Sequence, residues 1–170
     1  MTDRFTATLP APADTDRLGA LIADALRHAS QGILCGGLAL RLEGNLGAGK
    51  TSLVRAALRR LGWEGAVKSP TFTLLETYPC SGFTINHFDF YRFEEPEEFE
   101  DAGFQDEFRP GAVCATEWSE KAYPYLPPAD LTIALSIEGF GRKAEITAQS
   151  PLGREILASL SESWNSTAAA

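Results

Sequence analysis

Hydrophobic residues recur at two different periods along this chain, and each period predicts a different kind of element. From residue 14 to residue 29 they return every three or four positions, which gives one apolar helix face: Leu18, Leu21, Ile22, Ala25 and Leu26. Asp14 or Thr15 is suited to cap the start of this helix. The same spacing in residues 50–62 predicts a second helix, which Gly62 ends.

Shorter apolar or alternating runs predict strands around these helices. Residues 4–9 alternate weakly, as an edge strand does, and "LALRLEG" is typical of a buried strand. Two hairpins are expected, one formed by "FTLLETYP" and "FTINHFDFYRF" around "CSG", and one within residues 130–150. The run "GAVCATEW" predicts a short apolar strand, and residues 151–162 predict a final helix.

This succession of strands and helices predicts an α/β fold with a central mixed, largely parallel β-sheet flanked by helices, with β-hairpins. The 170 residues suffice for one ordinary domain with a buried core. No repeat and no linker rich in Pro, Gly or Ser divides the sequence. We therefore expect a single domain over residues 1–164 and a disordered tail over residues 165–170.

The negative charge of the chain is concentrated in one segment. Residues 94–107 contain eight of the 23 acidic residues and no basic one, so the remainder has 15 acids against 15 bases (23 − 8 = 15) and carries none of the net charge of −8. Proteins that grip nucleic acid directly present clustered Lys and Arg, so we expect no direct nucleic-acid grip. The acidic segment, predicted to be helical, is either a solvated face or a docking surface for a basic partner.

The expected cellular compartment is based on three features that the sequence lacks: a signal segment, a membrane span and a C-x-x-C pair. No basic region with a following apolar run opens the chain, and no window reaches the roughly 20 apolar residues of a membrane span. The three cysteines form no C-x-x-C pair. We expect a cytoplasmic protein with reduced, buried thiols and no membrane contact.

A phosphate-binding motif, "GNLGAGKT", occupies residues 44–51 between a predicted strand and a predicted helix. Its glycines let backbone N–H groups turn toward a phosphate chain, and the following helix adds its positive dipole end. Lys50 is expected to reach the terminal phosphates, and the Thr51 hydroxyl is expected to ligate Mg²⁺. The motif predicts a P-loop NTPase-like fold and these nucleotide-binding residues: Asn45, Leu46, Gly47, Ala48, Gly49, Lys50, Thr51 and Ser52. The guanine-reading N-K-x-D signature is absent, which favours ATP.

A carboxylate near the metal is also required, and two positions compete for this role. Glu117 ends the apolar strand "AVCATE". Asp89 lies in "HFDFYR", where strand alternation puts His87, Asp89 and Tyr91 on one face and two phenylalanines on the other. His87 is either a satisfied strand histidine or a general base, and Asp89 on its own is equally compatible with an exposed strand acid.

Taken together, these motifs resemble the TsaE (YjeE) family, small P-loop ATPases required in bacteria for threonylcarbamoylation of adenosine 37 in tRNA. The resemblance covers nearly the whole chain and consists of "GNLGAGKTSLVRAALRRLG", "KSPTFTLLETY", "HFDFYR", "EEFEDAGFQDEF" and "CATEWSEK". It implies that Lys50 and Thr51 bind ATP and Mg²⁺, that Glu117 is the second protein group at the metal, and that Asp89 is needed for hydrolysis. It also implies a switch-like loop near the γ-phosphate at Ser69, Pro70 and Thr71, with Trp118 close to the nucleotide and Thr15 near the adenine.

The resemblance further implies the partners TsaB and TsaD, with tRNA engaged only through them. ATP binding drives association with these partners, and hydrolysis resets the complex between turnovers. We expect slow turnover in isolation, because only Arg92 is available as an arginine finger, and an ion-pair role suits it better. The alternatives are a small nucleotide or metabolite kinase, which needs an arginine-rich lid, and a switch module that binds ATP without hydrolysing it.

Overall fold

A mixed β-sheet of seven strands runs through residues 3–168, which are the residues that this structure, a computed structural model, describes. The strands are β1 Arg4–Leu9, β2 Leu38–Glu43, β3 Leu75–Pro79, β4 Thr84–Asp89, β5 Ala112–Glu117, β6 Leu131–Glu138 and β7 Gly141–Ala148. Their order is β1-β7-β6-β2-β5-β4-β3. The four central strands β6, β2, β5 and β4 are parallel, and the outer pairs are antiparallel. The predicted α/β class and mixed sheet are confirmed.

Five helices surround this sheet within the described residues: α1 Pro12–His28, α2 Ser30–Gly36, α3 Lys50–Arg60, α4 Glu98–Asp101 and α5 Pro151–Ala168. Helix α1 starts earlier than predicted, because a proline is favoured in the first helical turn. Asp14 lies inside that turn, where its carboxylate accepts the N–H of Ala11 at 2.9 Å. Helix α2 was not predicted, since its two glycines weaken the helical pattern.

The end of the chain also differs from the expectation. Helix α5 continues beyond the predicted residue 162 to Ala168, so it includes the first four residues of the predicted tail. The last two residues of that tail, 169 and 170, lie outside the described residues. The domain limits stay a prediction.

The larger of two hydrophobic cores lies between the sheet and helices α1, α3 and α5. The apolar faces predicted for the first two long helices point into it, with Leu18 fully buried and Leu58 1 % exposed. On the opposite end of the sequence, Ile156 and Leu157 of α5 close the same core. This core fixes the sheet against α3, the helix that follows the phosphate-binding motif.

The smaller core is aromatic and lies beneath the acidic segment. Its rings pack closely: Phe90 and Phe93 are stacked with their centroids 4.9 Å apart, and Phe88 and Phe104 meet edge to face with their centroids 5.1 Å apart. The acidic segment is not one helix, because Gly103 adopts a left-handed φ of 72° between α4 and a 3-10 turn, Phe104–Glu107. Its phenylalanines point inward while most of its acids are exposed, so the charge run is the outer surface of a packed segment.

The structure bears on the expectations about membrane contact and about the cysteines. Within residues 3–168 there is no helix with the length and hydrophobicity that a bilayer crossing requires. All three thiols are free, but only Cys114 is buried. The expectation that the cysteines are buried is wrong for Cys35, which is exposed, and Cys80 is half-buried.

Candidate functional site

Three strands of the sheet end side by side at one edge. In the strand register, Leu42 of β2 lies opposite Glu117 of β5, and Glu117 lies opposite Asp89 of β4. The loop of residues 44–49 leaves β2 at this edge and leads into α3. Ligand sites of parallel sheets form at the carboxyl ends of the strands, so the topology brings the motif loop and the two competing carboxylates together.

The loop takes a shape that its glycines make accessible. Gly47 and Gly49 have φ values of 81° and 103°, in the left-handed region. A Cβ on Gly44 would lie 2.6 Å from the carbonyl oxygen of Leu135, so the start of the loop is held tightly against β6. Because α3 begins at Lys50, the N–H groups of its first turn have no acceptor within the helix and are oriented for an anion.

Lys50 and Glu117 form the centre of the site. Lys50 Nζ donates to the carbonyl of Gly44 and lies 3.2 Å from Glu117 Oε1. Only 12 % and 6 % of the two side chains are exposed. The other carboxylate oxygen, Oε2, lies 2.6 Å from Nε2 of the buried His87.

These contacts decide the protonation of Glu117. Burial raises the pKa of the Glu117 carboxyl, but the hydrogen bond and attraction from His87, and the charge of Lys50, outweigh it and hold the pKa below its ordinary value. Glu117 is therefore an anionic oxygen donor. The expectation of a satisfied strand histidine holds for one ring nitrogen of His87, whereas Nδ1 has no partner among the described residues.

Asp89 ends its strand and is only 5 % exposed, so it is not an exposed strand acid. Its Oδ1 accepts the backbone N–H of Tyr91 at 2.9 Å, and its Oδ2 accepts the hydroxyl of Thr71 at 3.3 Å. The Thr71 hydroxyl also lies 2.8 Å from that of Ser69. A chain of hydroxyl groups thus links the predicted switch-like loop to Asp89. Although β4 ends at Asp89, the predicted division of side chains extends beyond it. Half-exposed Tyr91 lines the same cleft as Asp89, whereas Phe88 and Phe90 are fully buried in the aromatic core.

An aromatic pair stands beside the lysine. Trp118, at a left-handed φ of 56° directly after β5, places its ring centroid 5.0 Å from that of Tyr91 and 6.0 Å from Lys50 Nζ. Lys121 donates to the carbonyl of Tyr91 at 2.8 Å and holds this pair from outside. The site therefore has an apolar wall next to its charged floor.

These elements enclose a cleft of about 670 Å³, a size that suits a small-molecule ligand. It brings together the following predicted site residues: Asn45, Leu46, Gly47, Gly49, Lys50, Thr51, Ser52, Thr71, Asp89, Glu117 and Trp118. Two of the predicted site residues, Ala48 and Thr15, are not among the residues that line the cleft. Thr15 lies behind the loop, with its methyl group 3.9 Å from where a Cβ on Gly49 would be.

One cleft residue was missed by sequence reasoning. Arg142 of β7 lines the cleft, and its Nη2 donates to the carbonyl of Gly47 at 2.9 Å. Nothing around "GRKAEITA" suggests this contact, because 95 residues separate the two partners and only the sheet order joins them. Arg92, the finger candidate, lies instead over the ring of Phe72 at 4.1 Å, outside the cleft lining.

Comparison with known proteins identifies the family. The sequence model described as "Threonylcarbamoyl adenosine biosynthesis protein TsaE" matches residues 9–144. This chain belongs to the TsaE family. Every residue that lines the cleft lies within the matched range.

Relatives of this TsaE-family chain carry the name "tRNA threonylcarbamoyladenosine biosynthesis protein TsaE". The one from Haemophilus influenzae is 45% identical over 120 residues, which cover 71% of this chain and 76% of that protein. The one from Treponema pallidum is 37% identical and covers 79% of this chain and 92% of that protein. The crystal structure of Bacillus subtilis YdiB superimposes with a TM-score of 0.74 at 25% identity, covering 95% of this chain and 97% of that one.

The donor set of this TsaE-family site suits Mg²⁺ rather than a metal bound by protein alone. Within residues 3–168, no group of three or more His, Cys, Asp and Glu side chains is arranged to hold a metal ion. Mg²⁺ is usually bound by one or two protein oxygen groups and completes its shell with phosphates and water. The anionic Glu117 and the Thr51 hydroxyl, which line the same cleft, fit that pattern.

Proposed function

We propose that this TsaE-family chain binds ATP with Mg²⁺, hydrolyses it slowly on its own, and serves threonylcarbamoyladenosine formation in tRNA in the cytoplasm. The observation that carries the proposal is the single sheet edge where the phosphate-binding loop, Glu117 and Asp89 meet. The names of its relatives support the pathway. The cleft supports the nucleotide.

Lys50 is paired with Glu117 in the structure and would exchange this partner for phosphate when ATP binds. Its buried contact with Glu117 satisfies both charges while no phosphate is present. Transfer of Lys50 to the phosphate chain frees Oε1 of Glu117, and we propose that Glu117 and Thr51 then hold Mg²⁺. The metal would neutralise charge that develops on the phosphates during transfer. His87 keeps the other oxygen of Glu117 in place throughout.

Asp89 is the proposed residue for hydrolysis. It lies at the strand end beside Glu117, and Thr71 ties it to the switch-like loop. A buried carboxylate at this position can orient the attacking water, which is one of the tasks of the protein in phosphoryl transfer. Because Thr71 contacts Asp89 directly, a phosphate that moves the loop also changes the surroundings of this carboxylate.

The proposed partners are homologues of TsaB and TsaD, with ATP-dependent association and release through hydrolysis. The net charge of −8, with the excess of acids over bases located in one largely exposed segment, supports contact with tRNA through partners rather than directly. The exposed acids of residues 94–107 are then a candidate surface for basic groups of the partners.

The kinase alternative receives less support from the structure than the ATPase. Between Thr71 and Trp118 the only basic residues are Arg92 and Arg109. Arg92 stacks on Phe72, and Arg109 lines a separate groove with Pro127. An arginine-rich lid over the cleft is what a kinase of this kind needs to clamp two substrates.

Nucleotide binding and phosphate release test the proposal. Lys50→Ala should lose ATP binding, measured by calorimetry with Mg²⁺, while Lys143→Ala on β7, outside the cleft lining, should bind as the unchanged protein does. Phosphate release should be slow alone and rise when TsaB and TsaD homologues are added. ATP hydrolysis by Lys50→Ala at the normal rate would refute the site, and phosphate transfer only with an added acceptor would favour a kinase.

A further inference from the structure

Arg142 reaches the phosphate-binding loop from the opposite end of the sequence. Its guanidinium donates through Nη2 to the carbonyl of Gly47 at 2.9 Å and through Nη1 to the carbonyl of Gly141 at 3.0 Å. The side chain lines the same cleft as Lys50 and Thr51. Neither the phosphate-binding motif nor the strand-end carboxylates account for it.

The backbone around Arg142 is held firmly on both sides. Arg142 pairs with Leu9 of β1 and with Ile137 of β6. A Cβ on the preceding Gly141 would lie 2.6 Å from the carbonyl oxygen of Leu9, so β7 starts in close contact with β1. Strand β6 lies between β7 and β2, and it contacts both Arg142, through Ile137, and the start of the phosphate loop, through Leu135. The backbone on both sides of the Arg142 contact is thus fixed, which pre-positions the guanidinium at low entropic cost.

The charge of Arg142 is not matched by an acid in the structure. Lys50 and Arg142 are the cationic side chains that line the cleft among residues 3–168, and Lys50 is paired with Glu117. Arg142 forms no salt bridge with a carboxylate of the described residues, and it donates instead to two neutral backbone carbonyls. A guanidinium has five N–H donors, so three remain for a ligand.

We propose that Arg142 binds the phosphate chain of the nucleotide directly, as a second cation that β7 supplies to the cleft in addition to Lys50. The inference rests on the proposed function, because it names a ligand contact of that same site. The hydrogen bond to Gly47 keeps the guanidinium over the loop until the nucleotide arrives. An unpaired guanidinium beside a phosphate-binding loop is suited to phosphate oxygens, which it can contact with two parallel N–H groups.

Equilibrium binding separates this contact from a purely structural one. We would compare the unchanged chain with Arg142→Gln, Arg142→Lys and the matched control Lys143→Gln, the adjacent cation on the same strand. Calorimetry with Mg²⁺ would use ATP and inorganic tripolyphosphate, which carries phosphates but no base or ribose. Thermal unfolding of each variant would establish that it is folded.

A direct phosphate contact predicts one pattern of results. Arg142→Gln should weaken the affinity for ATP and the affinity for tripolyphosphate by the same factor. That factor should be roughly tenfold to a hundredfold, which is the range for a hydrogen bond to a charged group. The affinity of this variant should also depend less on salt concentration, since one screened attraction is lost. Arg142→Lys should recover part of the affinity through its charge, and Lys143→Gln should change neither ligand.

Other patterns would overturn the inference. Loss of ATP affinity with unchanged tripolyphosphate affinity would assign Arg142 to the base or ribose. Equal loss for both ligands with an unchanged salt dependence would show that Arg142 only supports the Gly47 carbonyl. Unchanged affinity of Arg142→Gln, with binding still abolished by Lys50→Ala, would refute this contact alone. Failure of the unchanged chain to bind either ligand would refute the proposed function as well.

Discussion

Truncation of Phe99 tests whether the aromatic core beneath the acidic segment stabilises the domain. Phe99 is the buried residue of α4 and has no exposed surface. Its ring lies edge-on to Phe90 at 5.8 Å and 5.9 Å from Phe108. Phe99→Ala removes the ring that joins α4 to both neighbours.

The size of the loss follows from burial. Transfer of one large apolar side chain out of water contributes about 1.5–3 kcal/mol, and the cavity left by truncation adds to the cost. We therefore expect Phe99→Ala to reduce the free energy of unfolding by about 3–5 kcal/mol. That is a large share of the roughly 5–15 kcal/mol that stabilises an ordinary domain.

Urea unfolding followed by circular dichroism measures this loss, provided that the slope against denaturant is unchanged. Phe140→Ala is the matched control, because the Phe140 side chain is fully exposed at 106%. The control should shift the free energy by less than about 0.5 kcal/mol. A loss below about 1 kcal/mol for Phe99→Ala would contradict the claim that the acidic segment is packed on a core.

Three further predictions concern the cleft, the acidic surface and the thiols. Asp89→Asn should keep ATP affinity in calorimetry but slow phosphate release by roughly 10²–10⁴-fold, and loss of ATP affinity instead would refute a role in hydrolysis. Neutralising three exposed acids, with Glu95→Gln, Glu100→Gln and Asp101→Asn, should weaken the affinity for the TsaB and TsaD homologues, and more so at low salt. A variant that binds these partners as tightly as the unchanged chain at all salt concentrations would exclude a docking role. Burial raises the pKa of Cys114 to about 12, so a disulfide reagent at pH 8 should label exposed Cys35 in the native protein and Cys114 only after unfolding.

The phosphate loop could be predicted from sequence because its determinants are local. Its glycines, Lys50 and Thr51 lie within eight residues, between a strand and a helix whose periods are clear. Glu117 was expected at the end of a strand, and Asp89 was expected within a strand-like run. Their adjacency could not be predicted, since it arises from the parallel pairing of β4 with β5.

Contacts between residues far apart in the sequence could not be predicted from the sequence pattern. His87 meets Glu117 across 30 residues, and Arg142 meets Gly47 across 95. The acidic segment was predicted to be helical, whereas in the structure the burial of its phenylalanines decides its conformation. In that segment packing on β4 overrides helix propensity, and Gly103 supplies the break.

One short strand end, "HFDF", serves both the cleft and the aromatic core. His87 and Asp89 face the site, while Phe88 and Phe90 are fully buried in the core that Phe99 completes. Lys50 depends instead on α3 and the larger core. A mild loosening of the aromatic core should therefore disturb Asp89 before it disturbs phosphate binding. We expect Phe99→Leu to slow phosphate release by a larger factor than it weakens ATP affinity. A loss of ATP affinity with an unchanged hydrolysis rate would show that the aromatic core does not support Asp89 separately from Lys50.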